Sequence, residues 1–275
     1  MNPTFKIQST GTVSAHAKLF IVISLQEITY LIIDNESECI ALGSYHFNTE
    51  VATDGIANVL KQMISDNQIL QESFKKVSVV YAFSTAVLVP ASWMIDRGRK
   101  DMLELLFGDQ TDVFIRTDFL YEQNIHNIYA IPKQIDELAS YLFPTVTSTH
   151  LYSILPSVNT VSQNNLYCIF GNNCVTAILF KEGKLQVIQT FIFKVPEDVT
   201  YYLLQICEAF EVAAQTVEIY LNGMIDSHSN LFIELNKYFL QMQFQTLPKT
   251  FTYPEEIKQY PEHYFSHLFE IAQCV

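Results

Sequence analysis

LFIVISLQEITYLIIDNESECIALGSYHF, residues 19–47, is an apolar run, a turn at Gln26-Glu27, a second apolar run, a polar turn and a third, alternating run. Ile, Val, Leu and Tyr dominate these runs, as they do in strands, and the break at Gln26-Glu27 makes the first two an antiparallel hairpin. Residues 166–193, LYCIFGNNCVTAILFKEGKLQVIQTFIF, repeat the pattern. After each copy the apolar spacing becomes helical, at Ile56, Val59, Leu60, Met63 and Ile64, and again at Val199, Tyr202, Leu203, Ile206, Cys207 and Phe210. A short apolar strand follows each helix, VSVVYAF (77–83) and VEIYL (217–221). Tandem strand-strand-strand-helix-strand-helix units predict an α/β fold of two ribonuclease-H-like subdomains, with mixed sheets flanked by helices.

On this reading residues 1–17 are a leader or an edge strand, 18–155 the N-terminal half and 156–275 the C-terminal half. Between the repeats lie a short strand at 86–90 stopped by Pro90 and an amphipathic helix at 97–107 ended by Gly108. A strand pair follows at 113–120 and 124–132, then a helix at 134–143 between Pro132 and Pro144. Ser, Thr, Asn and Pro at 144–164 mark a connector, in which Leu151, Tyr152, Ile154 and Leu155 would form a helix. In the second half Pro196 falls at the first helical position. A helix is expected at 229–240 with Asp226 or Ser227 as its cap, and helical stretches close the chain, the last at 261–273.

Composition removes several classes of function. The chain has 275 residues and a net charge of -13, so a broad nucleic-acid face is not expected. Arg97, Arg99 and Lys100 are its one local basic cluster and read as a solvated helix start. The five cysteines, Cys39, Cys168, Cys174, Cys207 and Cys274, include no CxxC and read as reduced thiols of a cytoplasmic protein. No apolar stretch reaches the roughly 20 residues that span a bilayer, and no secretory signal is expected from the polar N-terminus.

Four segments carry a family resemblance: VVYAFSTAVLVPASWM (79–94), NIHNIYAIPKQIDELASYLFP (124–144), VTYYLLQICEAFEV (199–212) and VEIYLNGMIDSHSNLFIELNKYF (217–239). They resemble an uncharacterised Bacteroidetes family, a domain of unknown function with an actin-like ATPase fold. The resemblance covers most of the chain and implies an actin-like architecture of two similar halves, with no established activity. In layout the chain is also similar, more distantly, to actin-like assembly proteins of pilus and secretion machines.

An active actin-like ATPase holds phosphate with backbone amides in two hairpin turns and needs a nearby carboxylate for Mg²⁺. The first turn, Ile23-Ser24-Leu25-Gln26-Glu27-Ile28, has no glycine, and no Asp ends its first strand. The second, Gly171-Asn172-Asn173, has one glycine and no carboxylate. The chain's eight glycines are so dispersed that neither G-x-G-x-x-G nor a P-loop exists. Asn222-Gly223 falls where such folds place an adenosine-contacting turn, and also reads as a plain strand-to-helix turn. A retained nucleotide site would use Ser24, Gln26, Gly171, Asn172, Asn173, Asn222 and Gly223.

Other groupings read as structural. Asp34, Glu36 and Glu38 are a solvated turn. His263, His267 and Glu270 would share a helix face, as a zinc site requires, but their aromatic neighbours favour packing. Asp226, His228 and Ser229 match a catalytic triad in composition only. No catalytic residue, metal site or cofactor is expected. Trp93 is expected as a buried anchor, with an exposed partner contact as its alternative. The leading expectation is a catalytically inactive actin-like interaction or scaffold module with an unknown protein partner. The alternative is a divergent nucleotide-binding ATPase or kinase-like enzyme that uses an interdomain cleft.

Overall fold

The computed structural model describes residues 3–9, 13–47, 53–94, 98–158 and 164–275. The chain forms two compact units, Met1–Ile154 with Lys249–Gln259 and Leu155–Pro248 with Tyr260–Val275. Both are α/β, with mixed sheets flanked by helices as expected.

The first unit opens with β1 (Phe5–Gln8), β2 (Lys18–Ile23), β3 (Glu27–Ile33) and β4 (Cys39–His46), and α1 (Thr53–Asp66) follows. Its next elements are β5 (Lys76–Tyr81), β6 (Ala86–Pro90), α2 (Arg99–Phe107), β7 (Val113–Leu120), β8 (Ile125–Pro132), α3 (Lys133–Leu142) and β9 (Thr147–His150), and α4 (Leu151–Val158) starts in this unit and ends in the next. The main sheet runs β1-β4-β3-β2-β5-β9. β2, β3 and β4 are an antiparallel meander, and β5 lies parallel to β2 with Ile21 beside Val79. A helix must intervene for that parallel return, and α1 supplies it. It buries Ile56, Ala57, Leu60 and Met63, and α3, which packs against it, buries Ile135, Leu138 and Ala139. A second sheet, β6-β8-β7, closes a small core of Val89, Leu103, Ile128 and Ala130 under α2.

The second unit contains β10 (Asn165–Phe170), β11 (Cys174–Lys181), β12 (Lys184–Ile192), α5 (Pro196–Ala209), β13 (Glu218–Gly223), α6 (Asn230–Leu235), β14 (Gln241–Phe244) and α7 (Ser266–Cys274). Its sheet order, β12-β11-β10-β13-β14, matches β4-β3-β2-β5-β9 strand for strand. Pro196 opens α5, and the Asp198 carboxylate accepts from the main-chain N–H of Lys194 and of Val195 at 2.9 and 3.2 Å. Leu166, Cys168, Val175, Ala177, Leu179, Val199, Leu203 and Leu221 form the centre of the core on the α5 side.

Several expectations are corrected. β9 and β14 are strands that the sequence did not announce. Each is four residues long and pairs in parallel with β5 or β13, so its place is set by the neighbour's backbone. The helix expected at 229–240 ends at Leu235, because the chain turns to bury Phe239 and then enters β14. Its cap is Ser229, whose hydroxyl accepts from Phe232 N at 3.1 Å, in place of Asp226 or Ser227. The expected 261–273 helix splits into a 3-10 turn at Glu262–Tyr264 and α7. Helix 97–107 begins at Arg99, and Arg97 lies outside the described residues. Residues 5–8 of the expected leader are an edge strand, and residues 1, 2, 10, 11 and 12 lie outside the described set.

Candidate functional site

The two hairpin turns share one main-chain scheme. In the first, Ser24 N donates to Glu27 O at 2.9 Å, and Phe47 N donates to Gln26 O at 2.8 Å. In the second, Gly171 N donates to Cys174 O at 2.8 Å, and Phe193 N donates to Asn173 O at 2.9 Å. The strand that returns parallel to the hairpin is tied in the same way. Ala82 N donates to Ile23 O at 2.8 Å, and Met224 N donates to Phe170 O at 2.7 Å.

The turns differ in who meets their amides. Ser24 Oγ accepts from Gln26 N at 3.1 Å and from Glu27 N at 2.9 Å. The hydroxyl therefore sits where a phosphate oxygen would sit in a turn that grips an anion. Ser24 and Gln26 are both buried. Gly171, at the position of Ser24, has no such group. Asn172 is exposed, Asn173 is partly buried, and Asn173 Oδ1 has no hydrogen-bond partner.

The pairing of Phe170 with Gly223 sets Asn222 and Gly223 beside the second turn, at one end of the sheet of the second unit. Asn222 is buried and its Oδ1 accepts from Ser266 Oγ at 2.6 Å, so its side chain is spent inside the unit. Gly223 has φ +77°, and a Cβ there would lie 2.2 Å from Phe170 O, so only glycine fits. Gly171, Asn172, Asn173, Asn222 and Gly223 thus form one group in the second unit, while Ser24 and Gln26 belong to the first. The second turn carries no carboxylate, and that of Glu27, at the end of the first, pairs with His46 Nε2 at 2.9 Å. Among the described residues no three His, Cys, Asp or Glu side chains are grouped as metal ligands.

The remaining groupings are placed as follows. Asp34 Oδ1 accepts from Glu36 N at 2.9 Å and Glu38 N at 2.8 Å, closing the turn before β4. His263 lies on the 3-10 turn, ahead of the helix that holds His267 and Glu270, and its Nε2 is 2.7 Å from Ile225 O. Ser229 Oγ donates to Asp226 O at 2.7 Å, and the Asp226 carboxylate accepts from Tyr264 OH at 2.7 Å. That arrangement leaves no nucleophile, base and carboxylate in series. Lys100 pairs with Glu104 at 3.1 Å along α2. Trp93 is 73% exposed, contrary to the buried anchor expected, because it ends a 3-10 turn after β6 and points away from the small core. All five cysteines are free thiols, and burial pushes the Cys207 thiol up to about 11 and that of Cys39 up to about 12.

Sequence reading missed a polar network in the first unit. Asp118 on β7 accepts from Tyr129 OH at 3.0 Å, Thr149 Oγ1 at 3.0 Å and Ser153 Oγ at 2.7 Å. Beside it, buried Asp136 on α3 accepts from Arg116 Nη2 at 2.7 Å and from Tyr81 OH at 2.9 Å. His150, fully buried, stacks on Tyr129 with ring centroids 4.7 Å apart. These groups come from β5, β7, β8, α3, β9 and α4, so no local motif announces them. Every carboxylate oxygen has a donor, which is how a core holds a charge without reactivity.

The element order and sheet topology of the two units are those of the actin-like ATPase fold. The chain belongs to the family described as protein of unknown function DUF3822, which matches residues 8–242. A protein of Bacteroides thetaiotaomicron VPI-5482 with actin-like ATPase fold and unknown function is 18% identical, covers 84% of this chain and 91% of its own, and superposes with a TM-score of 0.73. The PilM-PilN type IV pilus biogenesis complex contains a chain that is 12% identical, with 93% and 97% covered and a TM-score of 0.62. The cytoplasmic domain of EpsL, an inner membrane component of the type II secretion system of Vibrio cholerae, is 12% identical, with 94% and 95% covered and a TM-score of 0.51. No curated protein matches the chain significantly. No helix among the described residues is long and apolar enough to cross a membrane.

Proposed function

We propose that this protein is a catalytically inactive, actin-like interaction or scaffold module of the cytoplasm, from a Bacteroidetes lineage, that binds a protein partner and no nucleic acid. The observation that carries the reading is the Ser24 hydroxyl on the amides of Gln26 and Glu27. A phosphate would have to displace that hydroxyl, and β2 offers no carboxylate for the accompanying metal. Support also comes from the similar folds of a chain of the PilM-PilN complex and of the cytoplasmic domain of EpsL, a secretion-system component.

In this reading the halves descend from one duplicated unit, 18–155 and 156–275. Equivalent side chains support it. Thr29 Oγ1 and Ser44 Oγ meet at 2.9 Å across β3 and β4, and Thr176 Oγ1 and Thr190 Oγ1 meet at 2.8 Å across β11 and β12.

The test is thermal unfolding with millimolar Mg-ATP. A ligand at 100 times its dissociation constant adds about 2.7 kcal/mol, so an unchanged melting temperature is expected and a clear rise overturns the proposal. A divergent nucleotide-binding ATPase or kinase-like enzyme is the second reading. It is favoured by the second turn alone, where no hydroxyl occupies the place of Ser24 and Asn173 Oδ1 lacks a partner. Under that reading Asn173→Ala would abolish a shift that Ser24→Gly enlarges.

A further inference from the structure

The two sheets differ at one edge. In the first unit β1 covers the outer edge of β4, antiparallel, with Phe5 opposite Ser44 and Ile7 opposite Leu42. Phe5 and Ile7 are buried, and the Phe5 ring lies 6.0 Å from that of His46. In the second unit the equivalent strand, β12, ends the sheet, and no described strand pairs with its outer side. The registers define the equivalence. Ser44 faces Thr29 as Thr190 faces Thr176, and His46 faces Glu27 as Ile192 faces Cys174. Ile192, in the place of the residue that β1 covers, is 42% exposed.

The outer edge of β12 lacks the usual devices that block strand addition. Val187–Phe193, VIQTFIF, contains no charge and no proline, and the one register shift lies before it, between Leu179 and Phe180 on the facing strand. Its donors point outward at even positions. Phe193 N is directed inward to Asn173 O, and backbone groups alternate along a strand, so Ile188, Thr190 and Ile192 face out. In β4 the same parity holds, since Thr4 N and Ser9 N donate to Ser44 O and Ile40 O.

We propose that this edge of β12 is a strand-addition site for an extended segment of a different protein. The segment runs antiparallel to Val187–Phe193, is uncharged on its packed face and sets apolar residues two apart opposite Thr190 and Ile188, as Phe5 and Ile7 lie opposite Ser44 and Leu42 on β4, with Ile192 flanking the first of them. An uncharged edge favours an uncharged packed face, because a carboxylate or ammonium there would lose water without gaining a partner. A second copy is disfavoured, since each carries a net charge of -13. The inference deepens the interaction-module reading and does not depend on the state of the nucleotide turns.

The probe is a fluorescein-labelled peptide with the sequence of residues 3–9, PTFKIQS, titrated with the full chain and followed by anisotropy. Saturable binding is expected, weakened by about tenfold in Ile192→Pro, which is what loss of one outward hydrogen bond and its packing removes. Ile192→Lys keeps the N–H and the fold and is expected to weaken binding in the same direction. No binding at millimolar protein overturns the site. Binding equal in wild type, Ile192→Pro and Ile192→Lys overturns it too, and means exchange with β1 at β4. A wild-type dimer in sedimentation that Ile192→Lys dissociates makes the occupant a second copy and overturns the assignment to a different protein. A Mg-ATP melting shift with peptide binding intact would remove the inactive reading and leave the edge site standing.

Discussion

His150 Nε2 lies 2.9 Å from the carbonyl oxygen of Phe83, a contact that requires the proton on Nε2. Nδ1 is then the acceptor, and Asn127 Nδ2 and Tyr152 N approach it at 3.1 and 3.2 Å. The ring is held neutral, and burial pushes its pKa down to about 4. An unfolded histidine titrates near 6.5. Between these values the unfolded chain binds a proton that the folded chain does not. The stability conferred is complete above about pH 6.5 and lost as pH falls toward 4, by about 3 kcal/mol in all. Urea unfolding of the first unit, compared at pH 7 and 4, should show this loss, and His150→Gln should flatten it.

Glu270 on α7 has the opposite sign. Burial pushes its carboxyl up to about 7. Its folded pKa is raised, so its neutral form is favoured below about pH 4.5, and that advantage disappears as pH rises through 7. Glu270→Gln should therefore stabilise the second unit at pH 8 relative to wild type and leave it unchanged at pH 4. Thermal melts of the two proteins at both pH values check this.

Arg116 is the cationic partner of Asp136, and its Nη1 also donates to Ser148 Oγ at 2.5 Å. Arg116→Met leaves a nearly buried carboxylate with Tyr81 as its remaining donor. A loss of about 3 kcal/mol in chemical denaturation is expected. Adding Asp136→Asn should recover part of it, since the buried charge is then gone.

Gly223 and Gly108 both have positive φ, +77° and +79°, but only Gly223 is crowded, by Phe170 O. Around Gly108 a Cβ would meet nothing within 4 Å. Gly108→Ala should cost about 1 kcal/mol from backbone conformation alone. Gly223→Ala should cost about 3 kcal/mol or more, because the β10–β13 pairing must also shift. Denaturation midpoints of the two variants separate the terms.

The chain's local pattern was enough for the larger elements. Alternation in 19–47 and 166–193 carries β2–β4 and β10–β12 to within a residue or two, and the helical spacing of Val199, Leu203 and Ile206 carries α5. Proline and glycine marked the ends of β6 and α2. The repeat made the element order legible twice over.

What escaped has a common physical origin. TSTH in β9 and QMQF in β14 lack a core-facing run, and become strands because β5 and β13 offer unpaired backbone beside them. The network of Asp118, Asp136 and His150 joins residues tens of positions apart, which no window along the chain can sense. Amino-acid order alone settled the hairpins, the helices and the lack of any glycine-rich phosphate loop, since those depend on neighbours along the chain. Only folding in three dimensions decided that the Ser24 hydroxyl fills one turn, that β1 pairs with the outer side of β4 while no described strand does so on β12, and that Trp93 faces solvent. Each of these depends on which backbone and side-chain groups distant segments leave unsatisfied once they meet.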